Sequence, residues 1–170
     1  SELDDKFYLP GTNTTTNRCH VSIRSYTYLI GATWNVPTSN RACSGARIPN
    51  VEAVSRSLIS GETTGEVPTH MSVSIGGNDL NIIGKLKTCL MPGTCEWARI
   101  EKRKASAEEV QRLFPKVIEL IQTLKRNHPG VALSIVGYPS VVNSTTTASC
   151  DSLVETLLSH DERVYLEETV

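Results

Sequence analysis

Nothing in the sequence approaches the run of about 20 apolar residues that spans a bilayer, so no integral membrane segment is expected. A basic excess is missing too: 17 Lys and Arg stand against 18 Asp and Glu, for a formal net charge of -1. Binding nucleic acid takes surplus cations to neutralise phosphates, and that function class is excluded on this ground. The densest basic block, Lys102-Arg103-Lys104, lies between Glu101 and Glu108 and reads as a solvated face. There is no Cys-x-x-Cys pair and no histidine placed to complete a zinc set, so neither a metal nor another cofactor is expected. The opening residues, Ser1 to Lys6, lack the apolar region of a signal peptide.

What is present suits a folded domain. With 170 residues, 39% hydrophobic and 21% charged, the chain has the size and composition of one unit, residues 1–170, around an apolar core. Five cysteines, Cys19, Cys43, Cys89, Cys95 and Cys150, are many for a reducing compartment and point to disulfides and a secreted protein. Cys89 and Cys95 are spaced to close a short loop around Met91-Pro92-Gly93, and the odd count leaves one cysteine over. Asn13-Thr14-Thr15 and Asn143-Ser144-Thr145 are glycosylation sequons in Thr/Ser-rich stretches, which agrees with an extracellular address.

Residues 1–20, with Pro10-Gly11 and a Thr/Asn run, read as a loop or arm. A helix is expected over 21–32 and a short strand over Thr33 to Val36. Pro49 fits the first turn of a helix with Val51, Val54 and Leu58 at helical spacing and Gly61 as its stop. Met71, Val73 and Ile75 alternate with serines and break into Gly76-Gly77-Asn78-Asp79, a strand running into a tight turn. Ser106 with Glu109 has the form of a capping box opening a helix, whose apolar face holds Val110, Leu113, Phe114, Val117, Ile118, Ile121 and Leu124. Pro115 should kink or restart it. Val131 to Val136 has the length of a buried strand and ends at Gly137-Tyr138-Pro139, and Leu153, Val154, Leu157 and Leu158 fall at helical spacing. Strands alternating with helices predict a three-layer α/β domain with a parallel sheet.

Ligands of open parallel sheets bind at the carboxyl ends of the strands, which directs attention to the small-residue stretch Ala42-Cys43-Ser44-Gly45-Ala46 and to Gly76-Gly77-Asn78-Asp79. Glycine lets a backbone N–H approach a ligand closely, and an asparagine amide donates from its side chain. Two such donors aimed at one point form an oxyanion hole. Taken singly, each loop is also an ordinary turn. In order along the chain stand Cys19 with Arg24-Ser25, the Gly45 loop, Ser74-Ile75-Gly76-Gly77-Asn78-Asp79, Val136-Gly137-Tyr138-Pro139 and Cys150. This series closely resembles the disulfide-bearing secreted esterases and lipases of the SGNH (GDSL-like) hydrolase family over nearly the whole chain.

The resemblance implies a flavodoxin-like α/β/α sandwich acting on a small-molecule or lipid ester; no specific protein partner is inferred. It implies that Gly45 donates its N–H and Asn78 its side-chain amide to the oxyanion, with Gly76, Gly77 and Asp79 supporting the turn. It implies the pairs Cys19–Cys43 and Cys89–Cys95, leaving Cys150 for a partner further downstream. Of the family's four blocks, the Gly-Asp-Ser nucleophile turn and the late Asp-x-x-His have no match, nor is there a Gly-x-Ser-x-Gly elbow. Ser1 is followed by Glu-Leu-Asp rather than small residues, and Lys125 stands where Asp would be needed before His128. His20, His70 and His160 are expected to be structural or surface groups, and Ser44 to cap the helix after it. The expectation is a fold incomplete at both ends, inactive alone, with nucleophile and base outside this chain. A non-catalytic extracellular domain binding a glycan or lipid on the same scaffold is the alternative. A phosphate-binding flavodoxin-like domain fits less well, because neither glycine loop has the phosphate-loop pattern.

Overall fold

The structure is a computed structural model describing residues 7–59, 68–90 and 100–138. It divides into two compact units, Ser1–Ala46 and Arg47–Val170.

In the first unit an antiparallel bridge pairs Tyr8 with Ser22, flanked by Leu9 N–H to Val21 carbonyl at 2.8 Å and Ile23 N–H to Phe7 carbonyl at 3.0 Å. The Thr12 hydroxyl donates to the Leu9 carbonyl at 2.7 Å and accepts the Val21 N–H at 3.2 Å, closing the arm around buried Val21. Residues 21–23 therefore serve the bridge, and helix α1 runs over Tyr26–Trp34 instead of 21–32. The strand expected at Thr33 to Val36 is absent. Asn35 takes the left-handed conformation, φ 51° and ψ 47°, and its N–H bonds the Gly31 carbonyl. Asparagine tolerates that conformation, so a helix cap overrides the β-preference of Thr33 and Val36. Cys19 is bonded to Cys43, as the family resemblance implies. The Cys89–Cys95 pairing, Cys150 and the apolar residues from Leu153 onward lie outside the described residues.

The second unit begins with α2, Ile48–Ile59, which carries Pro49 at its second position as expected. Strand β1, His70–Val73, is followed by α3, Ile82–Leu90, then α4, Ile100–Asn127, and β2, Ala132–Ile135. The two strands pair in parallel with His70 opposite Ala132 and Val73 opposite Ile135. The fold is α/β, with α4 in the crossover between two parallel strands. Its core joins Ile48, Val73, Leu120 and Leu124, with Val51, Met71, Leu113, Val117 and Leu133 packed against them. β2 is less buried than its composition predicts. Leu133 reaches the core, Ala132 and Ser134 stand on the other face, and Ile135 and Val136 at the carboxyl end are exposed.

Two expectations about α4 change and a third, a kink or restart at Pro115, loses its restart. It starts at Ile100, six residues before Ser106, so the Ser106/Glu109 pair lies inside the helix and caps nothing. Its buried line is Leu113, Val117, Leu120 and Leu124, while Val110, Phe114 and Ile118 are exposed. The helix also continues through Pro115, an exposed position one turn after Gln111, whose carbonyl water can satisfy. Ser106 and Glu109 instead hold a cation: Lys85 of α3, only 5% exposed, donates to Glu109 Oε2 at 2.6 Å and to Ser106 Oγ at 3.4 Å. Polar residues three apart share one helix face, which suits a buried lysine as well as a cap. Glu109→Ala is expected to cost about 2 kcal/mol in urea unfolding. That is less than for a wholly buried pair, because the Glu109 side chain is 39% exposed and water replaces part of the interaction. Lys85→Met should cost less, since it removes the buried charge together with its bond.

α2 and α4 are further tied by a buried polar cluster. Ser55 Oγ is 3.0 Å from His128 Nε2 and accepts from Asn127 Nδ2 at 3.0 Å. Among the described residues no helix is long and apolar enough to cross a membrane.

Candidate active site

Beyond β1 the chain passes Ser74 and Ile75 into the turn Gly76-Gly77-Asn78-Asp79. The Gly76 carbonyl accepts from Leu80 N–H and the Gly77 carbonyl from Ile82 N–H, each at 2.9 Å, so the turn winds directly into α3. Gly76 is required by its backbone conformation, whereas Gly77 faces the end of a side chain. Gly76 has φ +113°, outside the range of L-residues, and a Cβ there would touch Leu113 at 3.4 Å. Gly77 needs room: a Cβ would lie 2.9 Å from the ring and hydroxyl oxygen of Tyr138. Its N–H donates to that hydroxyl at 3.1 Å. Half-buried Asn78 follows, with Asp79 beside it.

Asp79 Oδ1 accepts from the N–H of Ile48, the first residue of α2, at 3.4 Å. A carboxylate at a helix N-terminus satisfies an open N–H and complements the dipole. The capping role expected of Ser44 is thus taken by a residue far along the chain. The Ser44 N–H itself bonds the Cys19 carbonyl at 2.9 Å. Asp79 Oδ2 is buried and lacks a hydrogen-bond partner among the described residues.

Gly76, Gly77, Asn78 and Asp79 come together in this one turn, at the carboxyl end of β1, where the sequence reading puts a ligand-facing loop. Gly45 belongs to the first unit, in a turn closed by Ala46 N–H to the Cys43 carbonyl at 3.0 Å, with φ +80° and nothing within 4 Å of a Cβ. The histidines stand elsewhere. His70 opens β1, bonded to Thr69 Oγ1 at 3.0 Å, and His128 precedes β2, both at the amino end of the strands. His20 is exposed, its ring 5.3 Å from Tyr8. His160 lies outside the described residues. Among the described residues no group of three or more His, Cys, Asp or Glu is placed to hold a metal ion. Sequence reasoning missed Tyr138 as part of this turn. The available signal was its position just after β2, in the Val136-Gly137-Tyr138-Pro139 stretch, read there as a strand terminator and as one block of the family resemblance.

No family model and no curated protein matches the sequence. The structure superposes on the extracellular lipase of Streptomyces rimosus with a TM-score of 0.64, over 89% of this chain, at 25% identity. The fold is similar to that of an extracellular lipase. The match takes in 60% of the lipase's own length, so this chain compares with part of that protein.

Proposed function

We propose that the chain is part of a secreted SGNH-type serine ester hydrolase and contributes its oxyanion hole. The observation that carries this reading is the glycine–asparagine turn at the carboxyl end of β1, in a chain whose fold is similar to an extracellular lipase. In the proposed reaction a serine hydroxyl attacks the acyl carbon of a carboxylic ester while a histidine takes its proton. The carbonyl oxygen becomes an oxyanion that accepts from the Gly45 N–H and the Asn78 amide. Collapse of the intermediate expels the alcohol, and water then releases the acid. The absence of Gly-Asp-Ser and Asp-x-x-His from the 170 residues motivates assigning nucleophile and base to segments outside them. The Cys19–Cys43 disulfide supports an oxidising, extracellular setting.

A fluorophosphonate probe, which labels only activated serines, tests the reading on the full-length protein. Labelling is expected at a single serine of a Gly-Asp-Ser turn, mapped by mass spectrometry, with Ser44 and Ser55 unlabelled. Folded full-length protein that takes no label would overturn the hydrolase reading in favour of a glycan- or lipid-binding domain.

A further inference from the structure

We infer that Tyr138 is a positioning residue for the Gly76–Asp79 turn, holding the Asn78 amide ready for the developing oxyanion; the inference rests on the ester-hydrolase reading. The parallel register brings it there. Val73 lies opposite Ile135, and the ladder continues with Val136 N–H to the Val73 carbonyl at 2.9 Å. Gly77 stands four residues beyond Val73 and Tyr138 three beyond Ile135, so both leave the sheet by the same edge. The tyrosine ring fills the space a side chain on Gly77 would need, and its hydroxyl accepts the Gly77 N–H at 3.1 Å.

Two consecutive glycines give a turn wide conformational freedom, which works against an oxyanion donor because such donors act by being fixed before the charge forms. Tyr138 restrains that freedom at the Gly76–Gly77 peptide, one peptide before the one that adjoins Asn78. Gly77 is buried and the bond to the 43% exposed Tyr138 is part-buried, so without the phenol oxygen the Gly77 N–H would lose its fixed partner and depend on water entering beside the ring. A phenol oxygen is both donor and acceptor, so accepting from Gly77 leaves its proton for a second partner.

Tyr138→Phe keeps the ring and deletes the oxygen. In the full-length protein, with a soluble p-nitrophenyl ester, kcat should fall about tenfold with KM within about twofold, the size of one lost hydrogen bond that matters in the transition state. Because Tyr138 acts through Asn78, the loss should vanish in an Asn78→Ala background. Equal factors in both backgrounds would show a role independent of Asn78 and overturn the inference. Amide hydrogen exchange supplies a readout separate from catalysis. The Gly77 amide should be protected in the wild type and exchange at least about tenfold faster in Tyr138→Phe, with Leu120 and Leu124 unchanged. Unchanged Gly77 exchange would overturn the inference as well. A wild-type protein that hydrolyses no ester yet protects Gly77 would instead overturn the hydrolase reading, and with it the catalytic consequence, leaving the contact itself standing.

Discussion

Asn78→Ala in the full-length protein is expected to lower kcat for a soluble ester by about 100- to 1,000-fold, the loss that follows removal of one oxyanion donor, or about 2.7–4 kcal/mol. KM should hardly move, because the amide acts on charge that develops only in the transition state. The neighbouring residue sharpens the test. Asp79 lies in the same turn, but its Oδ1 accepts from the first N–H of α2. Asp79→Ala should therefore cost stability, about 1 kcal/mol as for other helix caps, with a smaller effect on kcat. A turn that merely terminates β1 predicts the reverse ranking, with both variants acting through stability. Steady-state kinetics paired with urea unfolding separate the two. Unaltered hydrolysis by Asn78→Ala would sink the oxyanion assignment even if the protein proved to be an esterase.

How much of this was legible in the sequence depends on how local each signal is. The alternation of Met71 and Val73 ending in two glycines, and the proline at the second position of α2, are written in neighbouring residues, and both elements form close to where they are expected. The Cys19–Cys43 bond was legible only through the family resemblance, since spacing alone leaves connectivity open. All but the first of the misses share a cause, which is a competing partner the local pattern does not contain. Thr33 and Trp34 prefer strands as single residues, but Asn35 makes a left-handed cap that draws them into α1. Ser106 and Glu109 match a capping box, yet a lysine 21 residues from Ser106 claims them inside the helix. Asp79 caps a helix that starts 31 residues earlier, and Tyr138 reaches Gly77 across 61 residues. The candidate turn was thus readable as a turn. What holds it in place was not, because Leu113, Tyr138 and the N-terminus of α2 meet it only through the fold.

The apolar face of α4 gives the other large expected effect. Seven residues at helical spacing suggested one broad stripe that included Phe114, and composition alone would rank that phenylalanine as its chief contributor. In the structure Leu120 is 0% exposed and Phe114 is 64% exposed. Leu120→Ala should therefore cost about 3–4 kcal/mol, combining lost transfer energy with the cavity left between α2, α4 and the sheet. Phe114→Ala should stay within about 0.5–1 kcal/mol, since most of its ring already meets water. Urea midpoints at unchanged m-value provide the comparison, with Phe114→Ala as the reference for a loss of helix-surface apolar area. The contrast also tests the seating of the helix, because residues 113 and 114 point about 100° apart around its axis. A larger loss at Phe114 than at Leu120 would mean that α4 is rotated by roughly that angle. Leu113 would then no longer face the Gly76 backbone, and the packing that supports the candidate turn from behind would have to be reassigned.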